Sequence, residues 1–281
     1  MTKYYRLISI LTLGYIVFVC VFMIYHRIWL SQGQFLILGL FAITFIGRVR
    51  TFFKDWLPFV LFFLGYELLR GLISYVGKNA NILPMINIDK DIFGFVPTIK
   101  LQSLLFNPVH LMWYDYLATL LYLCHLVVPL VAGYYFWSKD RVFFRKFAFA
   151  FFILSYAAFV TYIIFPAAPP WIAGSLGYIP PVFGIVGVVT SRFLQTGAFF
   201  PLIYSFAGGN SFAAMPSLHA AFPLIVFFFL FKWSKKAGIA FIPYVLGVWF
   251  SVIYLGEHYF IDVVMGALYT FVVFVVLDKK I

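Results

Sequence analysis

Two short polar segments hold the side chains of this chain that can do chemistry. Residues 215–219 read Met-Pro-Ser-Leu-His and residues 256–262 read Gly-Glu-His-Tyr-Phe-Ile-Asp, and each segment stands at the head of an apolar run. His219 and His258 are 39 positions apart, which fits two membrane crossings of about 20 residues each with a tight turn between them. The spacing therefore predicts that both histidines and Asp262 lie at one membrane surface, where they can act on a lipid headgroup.

These residue types suit phosphoryl transfer through a covalent intermediate. His258 and Asp262 are spaced i, i+4 and share a helix face, so the carboxylate can accept the proton of one ring nitrogen and leave the other nitrogen free as a nucleophile. Pro216 suits the first turn of a helix, and the N–H groups of that turn, with the Ser217 hydroxyl, can hold a phosphate. We predict that His258 attacks phosphorus and that His219 protonates the leaving oxygen.

Two other interpretations fit the same residues. A single histidine near a helix end is usually structural, but three converging ionisable groups at such a depth are costly and favour function. A zinc site is the second alternative. The chain offers only three candidate ligands for it, with no cysteine nearby and an anion-binding helix start beside them. We therefore expect neither a metal nor another cofactor.

The composition indicates an integral membrane protein. Of 281 residues, 64% are hydrophobic and only 10% are charged, and the mean hydropathy is +1.02, which excludes a soluble domain. The net charge of +11 does not indicate a nucleic-acid partner, because the basic residues cluster in short loops. Cys20 and Cys124 fall in apolar segments, so we expect no disulfide. Lys3 and Arg6 precede an apolar run at about 7–25 as in a signal peptide, but its length favours a retained anchor.

The apolar runs predict an all-α, polytopic transmembrane helical bundle of about eight spans. The second span is short, and we find no separate soluble domain. The predicted spans are 7–27, 34–47, 56–76, 115–137, 147–165, 217–232, 238–255 and 259–277.

The loop charges predict the orientation of these spans. Lysines and arginines gather in alternate loops, and the opposite loops are longer and poorer in positive charge. The positive-inside rule then places both termini in the cytoplasm. It places His219, His258 and the two long loops, 77–114 and 166–216, on the outer or luminal side. If the short second span were not real, the N-terminus would change sides and the later loops would not. The basic residues are Lys3, Arg6, Arg48, Arg50, Lys54, Lys139, Arg141, Arg145, Lys146, Lys232, Lys235, Lys236, Lys279 and Lys280.

The two long loops are expected to surround the site. Residues 98–106 carry four apolar side chains at helical spacing, which is typical of a short amphipathic helix lying at the membrane interface. The prolines within 166–170 end the fifth span and stiffen the chain as it leaves the membrane.

The Pro-Ser-Leu-His string at 216–219 and the His-x-x-x-Asp string at 258–262 resemble the signature of the type-2 phosphatidate phosphatase superfamily of membrane enzymes. The resemblance implies that His258 is the nucleophile, that Asp262 is its partner and that His219 is the general acid. The match is specific in order, spacing and topology.

The resemblance covers about residues 56–277 and implies a six-helix core. It therefore divides the chain into N-terminal transmembrane helices, 1–55, and a phosphatase-type core, 56–281.

Departures from the phosphatase pattern favour a branch that transfers headgroups between lipids. The phosphatases carry a Lys-x6-Arg-Pro string, which is missing here, and an arginine six positions before the nucleophile, where this chain has Val252. The strings at 168–171 and 93–102 look closer to the inositol phosphorylceramide synthase branch. A site with fewer cations is better matched to a phosphodiester, with about one negative charge, than to a monoester with nearly two.

We therefore predict a membrane lipid headgroup phosphotransferase, similar to inositol phosphorylceramide synthase, that works through a phosphohistidine intermediate. Its partners would be a phospholipid donor, a lipid or polyol acceptor and the bilayer. The alternative is a phosphatase of the same fold that uses water to hydrolyse a lipid or polyprenyl phosphate. A transporter or channel would spread its charges through the membrane depth, whereas the polar groups here gather at one face.

Several other polar residues are candidates for secondary roles. Arg70 and Arg192 could replace the missing phosphate contacts, although a buried ion pair for Arg70 and a solvated Arg192 are plainer explanations. Asp115 suits a cap of the fourth span, and His125 suits a hydrogen-bonded packing role. Glu257 could tune the nucleophile or orient an acceptor hydroxyl.

Overall fold

The computed structural model describes residues 51–52, 54–62, 65–66, 80–195 and 212–278. The two predicted N-terminal spans, together with Cys20 and Arg70, lie outside these residues, so the division into 1–55 and 56–281 stays a prediction.

The described part of the chain is all-helical, as predicted, and its extended pairings are limited to isolated bridges. Residues 51–52, 54–62 and 65–66 are helical. The later helices are α1 Leu83–Phe93, α2 Pro97–Leu105, α3 Trp113–Lys139, α4 Arg141–Ile164, α5 Pro170–Ser175, α6 Ile185–Gln195, α7 Leu218–Trp233, α8 Lys235–Tyr254 and α9 Phe260–Asp278.

Four of these helices are long and apolar enough to cross a membrane, by length and composition. They are α3, α4, α8 and the Phe260–Leu277 part of α9, and they coincide with predicted spans. Helix α7 is also apolar but has only 16 residues, about 24 Å at 1.5 Å per residue, which is less than a bilayer core of about 30 Å. The chain is an integral membrane protein, and the count of eight spans stays a prediction.

Two helical hairpins turn at single capping residues. Asp140 separates α3 from α4 and accepts hydrogen bonds from the N–H groups of Val142 and Phe143. Ser234 separates α7 from α8 and accepts one from the Ala237 N–H. Such caps satisfy N–H groups that have no partner inside the helix. The short connections make the paired helices antiparallel, so the first residues of α7 lie at the end of the bundle opposite these turns.

Helix α7 is the central helix of the bundle, since it contacts α3, α4, α8 and α9. Its far end is packed by aromatic rings. Trp233 lies 5.1 Å from Phe143 and 6.0 Å from Phe136 between ring centroids. This packing places the ends of α3 and α7 together, at the basic end of the bundle.

A buried carboxylate ties the helical residues near 55 to the same basic end. Asp55 accepts hydrogen bonds from Trp137 Nε1 at 3.0 Å and from Arg141 Nη2 at 3.1 Å. Arg145 Nη1 lies 3.4 Å from Asp55 Oδ1, the oxygen that also accepts from Arg141 Nη2. The segment before the third predicted span and the turn after the fourth therefore meet, as expected for loops on one side of a membrane.

The helix predicted at 98–106 is present as α2, and its position at the membrane interface stays a prediction. Its buried side chains are Thr98 and Gln102, whereas Leu104 is 67% exposed. Gln102 is buried because it makes hydrogen bonds inside the protein, which an apolar side chain cannot make.

Candidate active site

The structure brings His219, His258 and Asp262 together. His219 is the second residue of α7, His258 lies in the turn between α8 and α9, and Asp262 is in the first turn of α9. His219 Nδ1 lies 3.1 Å from His258 Nε2, and Asp262 Oδ2 lies 3.6 Å from His258 Nδ1. His258 is 4% exposed and Asp262 is fully buried. Their catalytic roles stay predictions.

The hydrogen-bond partner of His258 Nδ1 is a backbone carbonyl that the sequence analysis missed. Nδ1 lies 2.8 Å from the Ala214 oxygen, so it must be the donor. Asp262 was expected to be this acceptor, but its Oδ2 accepts the Tyr259 N–H at 2.8 Å and lies farther from the ring. With the proton on Nδ1, a neutral His258 presents the lone pair of Nε2, and His219 Nδ1 donates to it.

The Ala214 carbonyl is positioned by three segments that come from the two long loops. Ala214 N donates to Ala167 O at 3.1 Å, and Ala167 N donates to Phe212 O at 2.9 Å. Asn81 donates from both its backbone N and its Nδ2 to Pro166 O, at 2.7 and 3.0 Å. These bonds satisfy buried backbone groups and hold the acceptor of the His258 ring in place.

The turn that carries His258 is fixed by a glycine and a glutamine. Gly256 has φ of 83°, in the left-handed region, and a Cβ there would lie 2.5 Å from Phe183 O, so only glycine fits. Gln102 Nε2 donates to Phe183 O at 2.8 Å and to Tyr254 O at 2.9 Å, and its Oε1 accepts from Phe183 N. Helix α2 therefore fastens the turn.

The start of α7 corrects one expectation. Pro216 was expected in the first helical turn, but the helix begins at Leu218, with Ser217 as its N-cap and a cis peptide bond before Pro216. The Ser217 Oγ accepts from Ala220 N at 3.2 Å, because this N–H has no partner inside the helix. Ser217 is fully buried, and its contact with phosphate stays a prediction.

The heads of α7 and α9 are in direct contact. Ser217 N donates to the Asp262 backbone oxygen at 3.0 Å. A Cβ at Gly266 would lie 2.3 Å from Ser217 O, so the glycine permits this approach. The two segments that carry the candidate catalytic residues are thus locked together by the backbone.

The His219 ring packs against α3. It stacks on Tyr122 with centroids 4.2 Å apart and planes 15° apart, and its centroid lies 3.9 Å from that of His125. His125 is buried, and its Nδ1 lies 2.7 Å from the backbone oxygen of Tyr122. This fits the predicted packing role and adds a contact with His219. Within the described residues, no group of three or more His, Cys, Asp or Glu side chains is arranged to hold a metal ion.

The remaining candidates have defined positions. Arg192 is exposed, and its Nη2 donates to Pro108 O and Val109 O at 3.1 and 2.9 Å; its contact with phosphate stays a prediction. Arg70 lies outside the described residues. Asp115 accepts from Met112 N at 2.7 Å, which is the predicted cap, and it also accepts from the Tyr254 hydroxyl.

Glu257 places a second carboxyl group beside His258. Burial raises the pKa of Glu257 to about 7, against the opposing effects of the nearby His258 and of a hydrogen bond from the Trp171 side chain. A group with this pKa is partly protonated near neutral pH, so it can lie beside a phosphate with less repulsion than a full negative charge would cause.

One buried acid near the site was not singled out from the sequence. Asp89 of α1 is fully buried, and its two oxygens accept from Phe260 N at 3.0 Å and Ile261 N at 3.1 Å. The only signal in the sequence is an acid within a predominantly apolar loop, which alone does not indicate its partner.

Comparisons with known proteins give one family and several relatives. The family model described as the PAP2 superfamily matches residues 92–276. The phosphoinositol dihydroceramide synthase of Bacteroides thetaiotaomicron is 30% identical over 270 residues, which is 91% of this chain and 87% of that protein.

Two fungal relatives match over shorter stretches. The inositol phosphorylceramide synthase of Candida albicans is 30% identical over 133 residues, 46% of this chain and 28% of that protein. The inositol phosphorylceramide synthase catalytic subunit of Saccharomyces cerevisiae is 30% identical over 127 residues, 40% of this chain and 28% of that protein. No solved structure matches the chain.

Proposed function

Because this chain belongs to the PAP2 superfamily, we propose that it is a lipid headgroup phosphotransferase that moves a phosphoinositol headgroup from a phospholipid donor to a ceramide-type acceptor. The observation that carries this proposal is the 30% identity, along 91% of the chain, to a protein named phosphoinositol dihydroceramide synthase. The paired imidazoles of His219 and His258 supply groups suited to the chemistry.

The first step of the proposed reaction uses both histidines. Nε2 of His258 attacks phosphorus, the bond from phosphorus to the diacylglycerol oxygen breaks, and His219, acting in its positively charged form, gives a proton to that oxygen and becomes neutral. A phosphoinositol group is then bound covalently to His258. Since the two ring nitrogens are 3.1 Å apart, the His219 ring must move away from Nε2 to let phosphorus approach.

The second step reverses these roles. His219, now neutral, accepts the proton of the acceptor hydroxyl as its oxygen attacks phosphorus, and the bond between nitrogen and phosphorus breaks. The Ala214 carbonyl and the Asp262 carboxylate stabilise the positive charge on His258 in the intermediate. Water can take the place of the acceptor, so slow hydrolysis is expected beside transfer.

The partners of the nucleophile support a phosphodiester donor. In the described part of the chain, His258 and Asp262 contact carbonyl, backbone N–H and imidazole groups, and no lysine or arginine is among these contacts. A monoester with nearly two negative charges would lack compensation there, and a diester needs less.

The test is the ratio of diester to monoester turnover. Purified protein is given phosphatidylinositol or phosphatidate with matched acyl chains in one detergent, each with and without ceramide. We expect inositol phosphorylceramide from the first donor at a rate at least about 10-fold above release of inorganic phosphate from the second, a factor that corresponds to about 1.4 kcal/mol.

The His258→Ala protein, purified in parallel, measures any contaminating activity. Inorganic phosphate as the sole product, formed from phosphatidate or from a polyprenyl phosphate, would replace the transferase with the phosphatase of the same fold.

We further propose that the site faces the outer or luminal side of an eight-span protein with cytoplasmic termini, since the loop cations gather at the opposite end of the bundle. Ser175→Cys and Lys236→Cys are made singly in a background without Cys20 and Cys124. Both positions are exposed. Lys236 is used in place of the nearby Ser234, because a cysteine at Ser234 would remove the N-cap of α8. A membrane-impermeant thiol reagent should label only Ser175→Cys in sealed cells. Labelling of both, or of Lys236→Cys alone, contradicts this orientation.

A further inference from the structure

We propose that Asp89, in the long loop between the third and fourth predicted spans, is a positioning residue for the His258 nucleophile and acts through the first turn of α9. The inference rests on the proposed function of His258 and adds a residue that lies 171 positions away from its contact in the sequence.

The geometry defines the contact. Both oxygens of Asp89 are used, one for Phe260 N at 3.0 Å and the other for Ile261 N at 3.1 Å. Asp262 takes the preceding N–H, that of Tyr259. The N–H groups that open α9 are therefore bound by two carboxylates, which also lie at the positive end of the helix dipole. His258 directly precedes these residues, so its backbone is tied to α1.

This arrangement also decides where a phosphate can bind. Two helix starts meet at the site, those of α7 and α9, and the N–H groups of 259–261 are already bound by carboxylates. A phosphate is therefore directed away from the head of α9 and towards the side of His258 that faces α7. Asp89 thereby positions the nucleophile and keeps the substrate on the correct side of it.

Ionisable groups from the turn before α9 face Asp89 and Asp262. They are His258, which lies 3.6 Å from Asp262, and the Tyr259 hydroxyl, while Glu257 lies beside His258. The charge of Asp262 disfavours ionisation of Asp89. Lys90 and Asp91 are on the same helix as Asp89 and are exposed. His219 is linked to these groups through His258.

The titration of Asp89 gives the contact a pH dependence. Burial, with a smaller contribution from Asp262, raises the pKa of Asp89 to about 6. A carboxylate accepts two N–H groups equally well, whereas the protonated acid turns a donor towards one of them. The carboxylate that accepts both N–H groups therefore predominates above about pH 6, and the contact is weakened below it.

Asp89→Asn and Asp89→Ala test the role. An amide can accept only one of the two N–H groups, and alanine accepts neither. A displacement of the nucleophile of about 1 Å can cost about 100-fold in rate, so we expect kcat to fall about 10-fold in Asp89→Asn and about 100-fold in Asp89→Ala, with KM changed less than about 2-fold. The wild-type to Asp89→Asn ratio should shrink towards one as the pH falls from 8 to 5. Asp91→Asn, an exposed acid two positions along α1, is the matched control and should keep wild-type activity.

Two measurements keep the inference separate from the proposed function. If the wild-type protein releases only inorganic phosphate, the transferase fails, and the same variants are compared by phosphate release from phosphatidate. Thermal unfolding of each variant is followed in the same detergent. Wild-type kcat in Asp89→Ala would overturn the inference, as would a kcat loss in Asp89→Asn that stays constant between pH 5 and 8. A fall in folded protein that accounts for all the lost activity would also overturn it.

Discussion

His258→Ala is expected to lose turnover by about 10⁴-fold or more, the range seen when an enzyme's nucleophile is removed. The substitution deletes Nε2, the only atom of the site proposed to bond with phosphorus. The fold should survive, because the deleted ring makes its hydrogen bonds with the Ala214 carbonyl and the His219 ring, and both can be rehydrated in the enlarged site.

The measurement is trapping of the covalent intermediate. The enzyme is mixed with phosphatidylinositol labelled in the inositol ring and quenched in denaturant near neutral pH, since the phosphorus–nitrogen bond of histidine breaks in acid and a neighbouring inositol hydroxyl would displace the histidine in alkali. Wild-type protein should carry label on a peptide that contains His258, and His258→Ala should carry none. His110→Ala, at an exposed histidine of the described loops, is the matched control and should be labelled normally. Normal turnover by His258→Ala would end the phosphohistidine mechanism.

The companion variant Asp262→Asn should lose turnover by about 100-fold, which is a smaller loss than that of His258→Ala. The Ala214 carbonyl still holds the tautomer and orientation of the His258 ring. The loss of turnover therefore comes from the missing negative charge of the Asp262 carboxylate. The amide oxygen can still accept the Tyr259 N–H. An effect as large as that of His258→Ala would mean that Asp262, and not Ala214, controls the tautomer during the reaction.

His219→Ala is expected to slow transfer from a natural lipid donor by about 10³-fold, within the range for loss of a general acid. A diacylglycerol alkoxide is a poor leaving group without a proton. In a nitrophenyl phosphodiester of inositol, the nitrophenolate leaves without protonation. The same variant should therefore recover most of the rate of the first step with that donor. Labelled enzyme should then accumulate, because the second step needs His219 as a base.

The discriminating control for this variant is His219→Gln. The glutamine side chain can donate a hydrogen bond to a phosphate oxygen but cannot transfer a proton. If His219 only binds phosphate, glutamine should restore the rate for every leaving group. If His219 is the acid, glutamine should fail with the lipid donor and the nitrophenyl donor should still be used. Equal losses for both donors in both variants would exclude the acid role.

The sequence alone determined the class of protein and singled out the two histidines that meet in the structure. Apolar runs of membrane length predicted the helices that appear as α3, α4, α8 and α9, because the hydrocarbon thickness fixes the length that a span needs. The pair of strings that contain His219 and His258 predicted their meeting, because span length also fixes where the chain returns to the same face. The length of an apolar run and the spacing between two strings are properties of the sequence, so they can be read before the fold is known.

The tertiary structure decided how the site is held. The acceptor of the His258 ring is the Ala214 carbonyl, 44 positions away, and a backbone oxygen leaves no mark in a sequence. Gln102 and Asp89 reach the turn that carries His258 and the helix that follows it over 152 and 171 positions. A hydrogen bond forms between groups that are close in space, and a polar residue in an apolar loop does not reveal its partner. Packing of two long loops against the bundle brings these groups to between 2.8 and 3.1 Å from their partners, and that packing is a property of the folded chain as a whole.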